Sequence, residues 1–322
     1  MKTTSIAIAL AAAVGLAAAP APAQEWPAKP IRALIAFTPG SATDIVGRIV
    51  AEKLAAELGQ PVIAENRVGA GGTIGANAVA KADPDGYTIL FNSSAQASNP
   101  AIYAQLPFDT FKDFIHVTAL AGQANVVIVN PDRGYKTLQD VVAAVRAKPG
   151  QLNYASAGIG SGTHLNAEKF RLAAGLDIVH IPHKGTPEAL ADVIAGRVEY
   201  YFCPITAALP QVRAGKVTAL AVSTPRRSSL LPEVPTTVEA GFPNSEYILW
   251  VGMWLPAKTP QPIAQKLHAA TIKVLGDPDV KERMAKLGAE PMPMTMAEFE
   301  AFMRKEVDDA IRIAKAAGIK PQ

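Results

Sequence analysis

The chain has almost no cysteine: among 322 residues the only one is Cys203. An internal disulfide is therefore excluded, and the fold must be stable on its apolar core alone, which a chain of this length can build. Charge is also sparse. Asp, Glu, Lys and Arg together make up 18% of the residues, with 31 basic and 28 acidic side chains spread along the whole length. Without a polybasic stripe or cluster, no nucleic-acid partner is expected. Beyond residue 19 no apolar run approaches the ~20 residues of a membrane-spanning helix. What the sequence does have is 49% apolar residues, too many for a disordered chain. Its length, at roughly 150 residues per domain, implies two domains.

The first 23 residues follow a different logic. Lys2 supplies a positive start, Ile6 to Ala19 form a short apolar run, and Ala21-Pro22-Ala23 reads as an A-x-A cleavage site. That order is a secretory signal peptide. The run is too short for a membrane anchor, no stop-transfer charge cluster follows it, and no cysteine near the cleavage site offers a lipid attachment point. The mature chain is expected to begin near Gln24, exported and soluble.

Past Gln24 one rhythm repeats: a short β-branched run, a turn rich in Gly, Pro or Ser, and an amphipathic helical stretch. It predicts an α/β fold. A first series runs from the strand Ile31 to Thr38 through Phe91. Residues 92 to 115 read as irregular, with Asn99-Pro100 and Leu106-Pro107 as breakers, before a long β-rich stretch from Val117 to Val129 that could cross between domains. A second series follows to Val222, then a proline-rich connector from Thr224 to Asn244, a strand from Trp250 to Leu255 and a helical tail. Two series joined by two crossings predict a two-lobed clamshell: residues 24–125 and 250–322 form a discontinuous domain 1, and residues 126–249 form domain 2. In such architectures the ligand sits in the interdomain cleft at the carboxyl ends of the strands.

Two strand-to-helix turns stand out as candidate binding elements. The first is Thr38-Pro39-Gly40-Ser41-Ala42-Thr43-Asp44 and the second is Ser156-Ala157-Gly158-Ile159-Gly160-Ser161-Gly162-Thr163-His164. Each combines small residues that expose backbone N–H groups, hydroxyls that cap or donate, and the positive end of a helix dipole, which together suit an anion such as a carboxylate. The plainer reading is ordinary turn chemistry and N-capping. Asp44 reads either as an acceptor for a ligand amine or as an acid that favours its helix dipole, and Phe37 either as the last core residue of its strand or as an apolar wall. Ser93 and Ser94 would border the cleft or form a plain polar loop.

Sharper chemistries fail on spacing. Gly158-x-Gly160-x-Gly162 does not match G-x-G-x-x-G, and no Gly-Lys-Ser/Thr end follows as in a phosphate-binding loop. A Ser161/His164 hydrolase lacks the G-x-S-x-G elbow and an acid to orient the histidine. His164, His180 and His183 could suggest zinc, but no Cys or carboxylate completes the set. No catalytic residue, metal or cofactor is therefore expected.

The pattern Pro39-Gly40 through Asp44, then Glu65-Asn66-Arg67 with Gly69-Ala70-Gly71-Gly72, then Asp85-Gly86-Tyr87-Thr88, resembles the Bug or TctC family of periplasmic solute receptors. Later landmarks agree: Tyr154 through Ser161 with His164-Leu165, Lys184-Gly185, Leu220-Ala221-Val222, and Leu231 through Thr236 with Glu239-Ala240-Gly241. Order and spacing hold from about residue 26 to 318. The resemblance implies a type II periplasmic-binding fold that closes on a small, usually carboxylated solute, held by both turns through backbone amides and ordered water. It also implies a periplasmic, monomeric receptor with transient contact to the membrane subunits of a tripartite tricarboxylate-type transporter; a receptor that signals to a membrane sensor would use the same clamshell. Two departures stand out. The family's second glycine in the first turn is here Ser41, and the strand Tyr200-Tyr201-Phe202-Cys203-Pro204, which ends at the cleft, has no acid to hold a ligand amine. An uncharged or aromatic body behind the carboxylate is expected.

Overall fold

The structure is a computed structural model that describes residues 25–321; the signal-peptide reading of residues 1–23 lies outside them. The first series gives β1 (Ile31–Ile35), α1 (Ala42–Leu58), β2 (Val62–Asn66), α2 (Thr73–Ala80) and β3 (Thr88–Ser93). The three strands are parallel, in the order β2-β1-β3, because a helix between strands returns the chain to the same end of the sheet. Ser41 caps α1 and Gly59 ends it at φ 68°.

The segment read as irregular contains a helix, α3 (Ala95–Ile102), with Pro100 inside it. The proline had argued against a helix, yet it falls late in a helix of only two turns. Burial of Ala95, Ala97 and Ile102 holds the segment in place.

β4 (Phe114–Val129) joins the lobes. It is buried along nearly all of its 16 residues, which is why its sequence is mostly apolar rather than strictly alternating, with His116, Thr118, Gln123 and Asn125 as its buried polar residues. Its N-terminal part, Phe114 to Ala124, pairs antiparallel with β9 (Ile248–Pro256), which itself borders β3. From Asn125 onward the partners change to β7 (Tyr200–Pro204) and β8 (Thr218–Val222). Between these runs lie α4 (Leu138–Ala147), β5 (Asn153–Ser156), α5 (Gly162–Ala174), β6 (Val179–Pro182), α6 (Thr186–Ile194) and α7 (Ile205–Arg213). β5 lies parallel to both β6 and β7.

The tail contributes α8 (Gln261–Gly276), α9 (Pro278–Lys286), the short β10 (Ala289–Pro291) against β4, and α10 (Met296–Ala317). A reciprocal capping box between Thr295 and Glu298 starts α10, and Phe299, Met303, Val307, Ala310 and Ala314 form its buried stripe at helical spacing. This is a two-lobed α/β clamshell with a mixed sheet. One lobe is built on β1, β2, β3 and β9, the other on β5 to β8, and each has its own apolar cores.

Candidate functional site

The two turns have the same hydrogen-bond plan. In the first lobe Ser41 is extended (φ −73°, ψ 163°) and its Oγ accepts from Asp44 N at 3.2 Å. In the second, Ser161 (φ −65°, ψ 155°) accepts from His164 N at 3.2 Å. The glycine before each serine is left-handed, Gly40 at φ 79° and Gly160 at φ 77°, a region that penalises any side chain. Backbone bonds from Ser41 to Thr38 and from Ser161 to Gly158, each 3.1 Å, close both turns.

Each helix therefore begins with its third N–H satisfied by the cap and its first two unpaired. Among the described residues the N–H groups of Ala42 and Thr43, and of Gly162 and Thr163, have no partner. The hydroxyls are partly committed: Ser161 Oγ and Thr163 Oγ1 lie 3.0 Å apart, and Thr163 Oγ1 also accepts from Ala157 N at 3.0 Å. Neither turn carries a Lys or Arg. What they offer an anion is backbone N–H, hydroxyl and helix dipole.

Between the lobes lies a cavity of about 540 Å³ lined by Phe37, Gly69 to Gly72, Tyr103, Gly158, Ile159 and the segment Pro182 to Lys184; it reaches Phe37, just before the first turn, and Ala157 to Ile159 of the second, while Ser41 to Asp44 and Ser161 to His164 are not among its lining residues. The lobes touch around it. Ser98 Oγ of the first lobe donates to Gly160 O of the second. Three glycines allow this approach: a Cβ at Gly71 would lie 2.6 Å from Ile159 O, one at Gly160 would lie 3.2 Å from Ile102, and one at Gly185 would overlap Thr38, whose Cγ2 would be 2.7 Å away. Gly185 is extended, at φ 177°, so its small size serves closure and not backbone freedom.

Behind the second turn is an aromatic column. His164 stacks on His180 with ring centroids 4.0 Å apart, His180 on Tyr154 at 4.9 Å, and Tyr154 on Tyr200 at 5.5 Å. Burial brings His164 down to about 4, with the Arg171 cation adding to the shift. Burial and the neighbouring His164 bring His180 down to about 3, so both rings are neutral at pH 7. His180 Nε2 meets Ser156 Oγ at 2.6 Å, and Ser156 Oγ accepts from Gly158 N at 3.1 Å.

The other candidate residues are placed differently. Phe37 and Gly158 line the cavity directly, while Pro39 and Gly40 are exposed and are not among its lining residues. Ala42 and Asp44 are buried in the first turn of α1. Asp44 is fully engaged: its carboxylate accepts from Arg48 Nε and Asn66 Nδ2, each at 2.8 Å, and from Gly40 N at 3.0 Å. Ser93 Oγ accepts from Ala95 N. Pro204 precedes α7 and lines neither large cavity. Cys203 is buried and unpaired, and burial pushes its thiol up, away from the reactive thiolate. The sequence marks Gly69 to Gly72 and Lys184 as family landmarks without pointing to them, to Tyr103 or to Pro182 and His183 as cavity residues; the run of glycines, left-handed at Gly69, Gly71 and Gly72, is the available signal for the strap.

A second cavity, about 560 Å³, lies where α5, α10 and the start of β9 meet, and Ser94 lines it. Several of its polar groups are matched internally, although Glu246 Oε2 is buried without a partner. Trp250 Nε1 donates to Glu306 at 2.7 Å, Lys169 Nζ to Glu246 O at 2.6 Å, and Tyr247 OH to Ser94 Oγ at 3.1 Å.

A family model described as the tripartite tricarboxylate transporter family receptor matches residues 46–319. The chain belongs to this family. Among its relatives, the protein BugT of Bordetella pertussis is 33% identical over 300 residues, which cover 92% of either chain. Two solved structures of family likeness carry ligands. An R. palustris protein with adipate superposes with a TM-score of 0.89 at 30% identity, covering 92% of this chain and all of that one. MatC from Rhodopseudomonas palustris with bound malate superposes with a TM-score of 0.85 at 31% identity, covering 89% and 99%. Tripartite tricarboxylate receptors are solute-binding proteins of the periplasmic-binding fold. No helix among the described residues is long and apolar enough to cross a membrane.

Proposed function

We propose that this receptor is exported to the periplasm, captures a small carboxylate in the cleft and passes it to the membrane subunits of a tripartite tricarboxylate-type transporter. The observation that carries the reading is the matched pair of helix starts, one on each lobe, each with two unpaired N–H groups and each adjoining in sequence residues that line the interlobe cavity, Phe37 on one side and Ala157 to Ile159 on the other. A carboxylate between them would gain charge-assisted hydrogen bonds from both lobes, so binding and closure would be one event. The walls behind it, Phe37, Tyr103, Ile159 and Pro182, favour an uncharged or aromatic body, and Lys184 at the rim suits a second carboxylate. We further propose that residues 24–125 and 250–322 move as one lobe and 126–249 as the other, on the strength of the change in β4 partners between Ala124 and Asn125.

The chain acts as a monomeric binder and not as an enzyme. His164 Nδ1 accepts from the Gly160 amide, so the imidazole is not directed at the Ser161 hydroxyl as a general base would be.

A thermal-shift screen over mono-, di- and aromatic carboxylates, with adipate and malate among them, tests the reading. A bound acid at 100 times its Kd should add about 2.7 kcal/mol of stability. No stabilisation by any carboxylate, with stabilisation by amines or neutral sugars instead, would sink it.

A further inference from the structure

Asp44 and His164 occupy one position in two stretches that share a pattern: Gly40-Ser41-Ala42-Thr43-Asp44 and Gly160-Ser161-Gly162-Thr163-His164. In each, the last side chain turns back on the glycine four residues earlier. Gly40 N donates to Asp44 Oδ2 at 3.0 Å, and Gly160 N donates to His164 Nδ1 at 3.2 Å. Both acceptors are buried, Asp44 at 5% exposure and His164 at 3%. We propose that Asp44 and His164 are paired positioning residues: each ties up the N–H of its glycine, and so fixes which amides of its turn are left for a bound anion. The inference rests on the reading of the cleft as a carboxylate site.

The difference between the two acceptors follows from the residue one helical turn further on. In α1 that residue is Arg48, which bonds Asp44 Oδ1 at 2.8 Å and offsets its charge. In α5 it is Glu168, engaged by Tyr154 OH and by Arg171 Nε at 2.7 Å. An aspartate at position 164 would face a like charge one turn away. A neutral imidazole supplies the same acceptor without that repulsion, and without adding negative charge beneath an anion. Its free Nδ1 fixes the tautomer with the proton on Nε2. The stacked His180, through Ser156, holds the Gly158 amide in the same way.

The pattern makes substitutions at 164 separable. His164→Asn supplies a neutral acceptor of the length that already reaches the glycine in the first turn. His164→Asp supplies that length with a charge. His164→Leu fills the space with no acceptor. Amide hydrogen exchange on the ligand-free protein, followed at Gly160, is the first readout. The Gly160 amide should exchange at least about tenfold faster in His164→Leu than in wild type, and within about threefold of wild type in His164→Asn. The second readout is calorimetric titration with adipate and with malate. The expected weakening is about tenfold for His164→Leu, about thirtyfold or more for His164→Asp, and under about threefold for His164→Asn.

Equal protection of Gly160 in wild type and His164→Leu would overturn the proposal, and so would equal acid affinity in the Asp and Asn variants. If His164→Leu does not fold, the contrast between Asp and Asn decides. If no carboxylate binds wild type, the reading of the cleft falls while Gly160 exchange still decides the positioning role.

Discussion

The cleft and the rear cavity have nearly equal volumes, about 540 and 560 Å³, and are built in opposite ways. The cleft is walled largely by glycines and loop backbone, with Lys184 as its lining cation, and the two helix starts with unpaired N–H groups adjoin its lining residues in sequence. The rear cavity is walled by long side chains, including Lys169, Glu246, Lys305, Glu306, Asp309 and Arg312; several of these already have protein partners, although Glu246 Oε2 is buried without one. Arg312, for example, is paired with Asp309. A site whose donors are already spent gains little from a ligand, whereas one with preorganised, unpaired donors gains a great deal. Charge count alone would favour the rear cavity.

The largest expected effect comes from breaking closure at the cleft. Gly185→Ala adds a methyl group where Thr38 stands, with no backbone strain of its own, so it should hold the lobes apart. Affinity for the acid should fall about 1,000-fold or more, because the binding-competent closed state is depopulated. Small-angle scattering on the acid-saturated protein should show the variant remaining expanded where wild type contracts. Gly160→Val strains a left-handed residue and presses on Ile102. It should weaken binding about 300-fold, read by calorimetry, with circular dichroism reporting an intact fold.

Acid separates the two regions by sign. His164 has a folded pKa depressed from 6.5 to about 4, so its contribution is present above pH 6.5 and is lost as pH falls from there towards 4. That loss is roughly 3 kcal/mol for His164 alone. Glu306 behaves oppositely. Burial raises its pKa, so its contribution is present in acid and is lost as pH rises through the raised value. Thermal midpoints between pH 7 and pH 4 should therefore fall in wild type, more shallowly in His164→Asn and more steeply in Glu306→Gln.

Smaller effects complete the contrast. Ser161→Ala removes a helix cap and a hydroxyl at the anion site, and should cost about tenfold in affinity along with about 1 kcal/mol of stability. Glu306→Gln changes a rear-cavity carboxyl to an amide that can still accept from Trp250, and should leave acid affinity within about twofold of wild type by the same titration.

Much of this was legible in the sequence because periodicity is local. The βα rhythm, the long crossing strand and the helical tail all announce themselves within a window of ten to twenty residues. α10, Met296–Ala317, falls within the stretch that reads as a helical tail. The two turns were also visible, as small residues between a β-branched run and a helix. α3 was hidden because Pro100 outweighed the burial of its neighbours, which only tertiary packing supplies. The partners of Asp44 were hidden for the same reason: Asn66 comes from β2 and carries no mark of its role. The tight approach at Gly185 depends on Thr38, far away in the chain and on the other lobe, so no local pattern could reveal it.

The central claim, that a carboxylate is anchored by backbone amides of two turns on opposite lobes, is most directly tested by amide chemical-shift mapping. The ¹⁵N-labelled protein would be titrated with whichever carboxylate stabilises it most. The account predicts that the largest amide shifts fall together at Ala42, Thr43, Gly162 and Thr163, with the Trp250 indole N–H of the rear cavity little changed. Large shifts at Trp250, Lys169 and Glu246 with the two turns unmoved would contradict it.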